Sequence, residues 1–90
     1  MLHATESTLA KYSALFDSLR ALNGLIEKRP GVFYRQSKAF LHFHEDPTGL
    51  YADLRVDANG DFARIRAESW VEQSTLIETI SAALTAPEHR

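Results

Sequence analysis

The sequence predicts an α+β domain. The expected form is a two-layer sandwich: a four-stranded antiparallel meander with N- and C-terminal helices on one face, in the order α-β-β-β-β-α. Three observations carry this expectation. Turn residues punctuate the stretch from Val32 to Ala67 at short intervals. Apolar side chains alternate with polar ones between those turns, the period of a half-buried strand. On either side of the meander, apolar residues recur every three or four positions, the period of an amphipathic helix.

Taken in order, residues 1–6 are expected to fray. Ser7 to Lys28 reads as a helix, with Leu9, Tyr12, Leu15, Phe16, Leu19, Leu22 and Ile26 along one stripe. Thr5 or Ser7 can cap its start, and Asn23-Gly24 can kink it or end it a turn early. Pro30-Gly31 stops it, because proline restricts the residue before it to extended backbone.

Four strands follow. Gln36-Ser37-Lys38-Ala39 is a polar turn without glycine. Asp46-Pro47-Thr48-Gly49 fits a type I turn, with proline presetting φ at its second position. Asp57-Ala58-Asn59-Gly60-Asp61 contains Asn-Gly, the strongest short hairpin signal. Two-residue and four-residue loops at these places set Leu41 opposite Leu54 and Phe43 opposite Ala52. They set Leu54 opposite Ile65, Val56 opposite Ala63 and Ala52 opposite Ala67. An even loop around Ser37-Lys38 sets Tyr34 opposite Leu41 and Val32 opposite Phe43. Every paired residue is apolar, so three separate loops agree on one buried face.

After the meander, Ser69-Trp70-Val71-Glu72 matches a capping box. A second helix runs from there to about Thr85, with Trp70, Gln73, Ile77, Ile80 and Leu84 near one face. Pro87 ends it, and residues 87–90 are expected to fray. The chain, residues 1–90, reads as a single domain.

The alternate positions of the meander then share an open face. One row across it reads Phe33, His42, Asp53, Arg66. The next reads Arg35, Phe40, Arg55, Arg64. His44, Tyr51 and Phe62 complete it. In the second row two arginines face each other with no acid between them, which costs a few tenths to about 1 kcal/mol.

Composition narrows the function. A net charge of −2 gives no global basic field, unlike many DNA-binding domains. The chain has no cysteine, which removes disulfides, thiolate zinc sites and thiol catalysis and fits a cytoplasmic protein. The N-terminus lacks a basic region followed by an apolar stretch. No apolar run reaches the roughly 20 residues a membrane span needs.

Few motifs carry chemistry. His42 and His44 fall on one strand face, a spacing that metal sites use. Asp53 is the one acid placed beside them, and Arg66 next to it would repel a cation. The simpler expectation is a His42–Asp53 pair that raises the histidine pKa. No nucleophile shares these rows, so no triad forms. Asp57, Asn59, Asp61 and Glu68 mimic a calcium loop, but Phe62 stands where such loops need glycine.

The chain order resembles the frataxin-like arrangement in outline. Val32–Val56, with Phe33-Tyr34-Arg35-Gln36-Ser37-Lys38-Ala39-Phe40 leading into a second hairpin, resembles the strand region of the MmcQ/YjbR-like proteins. The acidic first helix of frataxins has only Glu6, Asp17 and Glu27 as counterparts here, so no iron-handling role is implied.

The sequence points to a non-enzymatic interaction domain. Its open face is expected to meet a protein partner or a second copy of the chain, because Phe33, Phe40, Tyr51 and Phe62 would lie exposed together. The alternative is an anion or single-stranded nucleic acid bound by Arg35, Arg55 and Arg64, with Phe40 as a stacking platform. No cofactor, metal or membrane contact is expected.

Overall fold

The computed structural model describes residues 2–56 and 60–85. They form a small α+β domain with one antiparallel sheet and three helices. In chain order the elements are β1 (Leu2–His3), α1 (Glu6–Lys11), α2 (Ser13–Arg20), β2 (Ile26–Arg29), β3 (Val32–Arg35), β4 (Lys38–Asp46), β5 (Gly49–Arg55), β6 (Phe62–Arg66) and α3 (Trp70–Thr85). The sheet has six strands in the order β2-β3-β4-β5-β6, with β1 also paired to β4. The expected four-strand meander is present as β3 to β6, and two further strands extend it.

Both extra strands come from stretches read as something else. Leu2 and His3, expected to fray, pair with Glu45 and His44, and the Ala4 N–H continues the pairing onto the Phe43 carbonyl at 3.0 Å. The expected helix from Ser7 to Lys28 is two short ones. Thr5 caps α1 reciprocally with Thr8. Tyr12 leaves the helical region at φ −115°, ψ 41°, which separates α1 from α2. The chain then turns through Gly24 at φ +99°, a conformation glycine adopts without steric cost. Ile26 to Arg29 re-enter as an edge strand. Pro30-Gly31 is therefore a hairpin turn between Arg29 and Val32, not a helix stop. Gly31 sits at φ +73°, as the third position of a type II turn requires.

The registers explain which faces are buried. Between β4 and β5, Leu41 faces Leu54 and Phe43 faces Ala52, as the Asp46–Gly49 turn dictates. That turn is held by Asp46 Oδ1, which accepts from the Thr48 N–H at 2.8 Å.

Between β5 and β6 the register is offset by two residues. Leu54 faces Ala63 and Ala52 faces Ile65. Residues 57–59, which include Asn59 of the expected Asn59-Gly60 turn, lie outside the described residues. The Val56 N–H donates to the Asp61 carbonyl at 3.0 Å, so the loop spans four residues rather than two. Because side chains alternate with period two, this offset keeps every face and changes every row. Arg64 now faces Asp53, and Arg55 faces Phe62. The expected Arg55–Arg64 repulsion does not arise.

Between β3 and β4 the face itself changes. Arg35 faces Lys38 across a two-residue turn, Gln36-Ser37, with both residues at positive φ, 51° and 70°. This is type I′ geometry built without glycine. Tyr34 pairs with Ala39 but Phe33 pairs with Leu41, which leaves Phe40 as the extra residue of a bulge on β4. Phe33 therefore joins Leu41 on the core side. It is 1% exposed and Phe40 is 5% exposed. Both were expected on the open face, and the bulge removes them from it.

One apolar cluster joins Tyr12, Leu15, Phe16 and Leu19 to Phe33, Leu41, Phe43, Ala52 and Leu54 of the sheet and to Leu76 and Ile80 of α3. Phe16 meets Phe43 edge-on at 4.9 Å between ring centres. The capping box at α3 forms as expected: the Glu72 N–H donates to Ser69 Oγ at 3.1 Å, and Glu72 Oε1 accepts from the Ser69 N–H at 2.9 Å. Trp70, expected on the packed stripe, is instead 79% exposed. It occupies the first helical position, and Leu76 and Ile80 supply the buried stripe. Among the described residues, no helix is long and apolar enough to cross a membrane.

Candidate functional site

The strands bring a polar cluster together on the face opposite the apolar core. His42 faces Asp53 and His44 faces Tyr51 across β4 and β5. Asp53 in turn faces Arg64 on β6. From the other side, β1 lays His3 opposite His44, with 4.5 Å between ring centres. Phe62 lies 5.1 Å from the His42 ring.

These neighbours bury Asp53 and His44 although both lie on the outer face. Asp53 is 7% exposed and His44 is 9% exposed. Arg64 grips the Asp53 carboxylate with two parallel bonds, Nε to Oδ1 at 2.7 Å and Nη2 to Oδ2 at 2.8 Å. Such bidentate pairing is the strongest form of charge-assisted hydrogen bond. It holds the carboxyl below the usual aspartate range, outweighing the opposing effect of burial.

The histidines behave differently. His44 Nδ1 lies 3.2 Å from Asp53 Oδ2, and His42 Nδ1 lies 3.7 Å from the same oxygen. Neither nitrogen makes an aligned hydrogen bond, and both are buried without a partner. Asp53 draws the two imidazole pKa values upward, but burial pushes them down more strongly, and both end below the ordinary value. The expected rise from a His42–Asp53 pair is reversed. Desolvation of the imidazolium outweighs the pull of Asp53, and the charges of His3 and Arg64 lower the values further.

The remaining arginines of the face are also engaged. Arg55 donates from Nε to the Ala39 carbonyl at 2.6 Å and stacks over Phe62 at 4.8 Å. Arg66 reaches Glu72 at 3.0 Å and the Thr48 carbonyl at 3.0 Å. Arg35, which alternation puts on the same side of β3 as Phe33, has left that face with it and lies 5.9 Å over the buried Phe40 ring. Tyr51 shares a hydrogen bond with the Thr48 hydroxyl at 2.7 Å.

Of the expected face residues, the structure thus brings His42, His44, Asp53, Arg64 and Phe62 into one cluster. Arg55, Tyr51 and Arg66 lie around it, Phe33 and Phe40 are placed in the core, and Arg35 lies over Phe40 away from the cluster. His42, His44 and Asp53 each offer a ligand atom within 4.8 Å of the others. Among the described residues, they form a group whose chemistry could hold a metal ion. His3 belongs to the same cluster, and sequence reasoning missed it. Nothing local in Leu2-His3 signals that this dipeptide closes against β4.

A second polar assembly was also missed. It lies in a cleft of about 500 Å³ beside α1 and the β4–β5 turn. The Tyr12 hydroxyl donates to Glu68 Oε1 at 2.6 Å, and the Leu50 N–H donates to the same oxygen at 3.0 Å. Glu45 accepts from the Thr8 hydroxyl at 2.9 Å and from Lys11 at 3.0 Å. These groups satisfy one another, and the assembly ties α1 to the sheet. Tyr12 reads in the sequence as part of an apolar stripe, which hides its hydroxyl.

No family model, curated protein or solved structure matches this chain, so the chemistry of the face has to be read from its own side chains.

Proposed function

We propose that this chain is a non-catalytic interaction domain whose outer sheet face meets a protein partner, a second copy of the chain being the simplest one. Both helical layers on one side of the sheet and an open surface on the other belong to the same proposal. So does a cytoplasmic setting, suggested by the lack of cysteine.

The observation that carries it is the β6 border. The strand order ends at β6, and Phe62, Arg64 and Arg66 along it are exposed. An edge strand presents unpaired backbone groups ready to pair with another chain. Phe62 adds an aromatic anchor under Arg55, and aromatics with arginine are enriched at interfaces. The opposite border, β2, carries Glu27, Lys28 and Arg29 instead, a composition that discourages pairing.

Nucleic acid is the weaker reading. Arg64 and Arg66 are already bonded to Asp53 and Glu72, so a phosphate would have to displace an internal acid at each of them. For an enzymatic reading, the described residues place no serine, threonine or cysteine on the rows of the histidines.

The test is the solution mass of the 10.1 kDa chain across a concentration series, with amide exchange mapped on β6. A mass approaching twice the chain, protected β6 amides, and reversion to monomer in Phe62→Glu support the proposal. A monomer at every concentration, with unprotected β6 amides and no partner for the face, removes it.

A further inference from the structure

We propose that His42, His44 and Asp53 bind a divalent transition-metal cation, with zinc as the expected occupant and His3 as the fourth donor. This goes beyond the contact function and does not depend on it.

The first argument is the pair of orphaned nitrogens. A buried polar atom without a partner costs about 1–3 kcal/mol. Here there are two, His42 Nδ1 and His44 Nδ1, and both converge on one carboxylate oxygen. His44 is more than nine-tenths buried, so water does not relieve it. At 3.2 Å, His44 Nδ1 is close enough to Asp53 Oδ2 for a hydrogen bond, yet it does not align for one. Two ring nitrogens within 3.7 Å of one carboxylate oxygen, neither of them hydrogen-bonded, are donors that one shared cation would satisfy together.

The second argument is spacing. Tetrahedral zinc with bonds of roughly 2.0–2.1 Å places its donors about 3.4 Å apart. The two nitrogen-to-oxygen separations, 3.2 and 3.7 Å, bracket that value. The ligand atoms of the three strand residues all lie within 4.8 Å of one another, and closing the longest of these separations towards about 3.4 Å would complete three corners of the tetrahedron. Two imidazoles and a carboxylate suit zinc among the common divalent ions.

Arg64 is the opposing charge. Its bidentate grip uses one lone pair on each carboxylate oxygen and leaves Oδ2 a second pair facing the imidazoles. Ligating carboxylates are commonly hydrogen-bonded in this way by an outer partner. Arg64 therefore orients Asp53, at the expense of affinity. His3 stands beside His44 on the exposed side, where it can swing in as the last ligand.

The test is calorimetric titration of the full chain with zinc chloride. Cobalt(II) absorption reports the geometry, and ring-nitrogen NMR of the wild-type histidines reports the site. The expected result has three parts: one equivalent bound, a tetrahedral cobalt spectrum, and shifts at His42 and His44. His42→Gln should lower affinity by about 100-fold or more, and His3→Ala by about 10-fold. His42 is the more exposed of the strand pair, so its variant keeps the test usable if His44→Ala does not fold.

Absence of uptake by the folded wild type overturns the proposal, and so does uptake undiminished in His42→Gln. The mass of the same samples is read separately, so a metal-free dimer and a metal-binding monomer are told apart.

Discussion

Replacing Phe33 with alanine separates two registers of the first hairpin. Were Val32 opposite Phe43, Phe33 would project from the outer face, and its removal would change stability by no more than about 0.5 kcal/mol. In the structure Phe33 is 1% exposed. It stacks parallel to Phe16 at 6.4 Å and meets Phe43 edge-on at 6.4 Å. Truncating a buried phenylalanine costs about 3–5 kcal/mol, and loss of aromatic contacts places this one near the middle of that range. A domain of this size has roughly 5–13 kcal/mol in total, so the variant should fold with much of its margin gone. Urea unfolding followed by circular dichroism is the assay, and at a slope near 1 kcal/mol/M the midpoint should fall by about 3 M or more. Phe33→Leu should cost less than about 1.5 kcal/mol, which keeps the measurement possible if the alanine variant unfolds. Phe62→Ala is the comparison, because Phe62 is 38% exposed and should cost about 1 kcal/mol. If Phe33→Ala costs no more than Phe62→Ala, the bulge at Phe40 is refuted.

Acid should destabilise the domain in two steps. The folded pKa values of His42 and His44 lie below the ordinary one, so the unfolded chain takes up protons first. Their contribution is full above about pH 6.5 and declines as pH falls through the folded values. The depressed Asp53 carboxyl contributes above about pH 3.9, and that contribution is lost as pH falls through its folded value. Urea midpoints should therefore fall steadily from about pH 7 downward, and a rise between about pH 7 and 5 contradicts this. At the first hairpin, Gln36→Asn with Ser37→Gly relieves two left-handed residues and should add about 1–2 kcal/mol, seen as a higher melting temperature; an unchanged or lower one counts against the type I′ turn. Tyr12→Phe removes the 2.6 Å bond to Glu68 and should cost about 1–3 kcal/mol in the same assay, with a neutral result excluding a structural role for that bond.

What could be read in advance depended on how local the signal was. The Asp46-Pro47-Thr48-Gly49 turn and the Ser69–Glu72 capping box are short patterns whose residues bond one another, and both formed where expected. So did the pairing of Leu41 with Leu54, because alternation on both strands forbids a slip of one. The β5–β6 offset went unseen because a shift of two preserves every apolar match. The bulge at Phe40 was invisible for a different reason: period-two reasoning has no place for an extra residue, and Phe33 and Phe40 look equally apolar on either side. Pro30-Gly31 was noticed and misassigned, since the same dipeptide serves as a helix stop and as a type II turn. The apolar stripe through Ile26 favoured helix, and Gly24 at positive φ broke it. At the site, His42, His44 and Asp53 were found by alternation alone. Their burial was not, because it depends on His3 arriving from the N-terminal strand and on the β5–β6 offset that sets Arg64 opposite Asp53.

The most direct measurement is a nuclear Overhauser spectrum of the assigned wild-type protein, read at the two strand histidines. The account predicts contacts from His44 to the His3 ring and from His42 to the Phe62 ring, with Phe33 contacting Phe16 and Phe43. Contacts from either histidine to Phe16, Leu76 or Ile80 would contradict it, because the cluster would then lie under the helices.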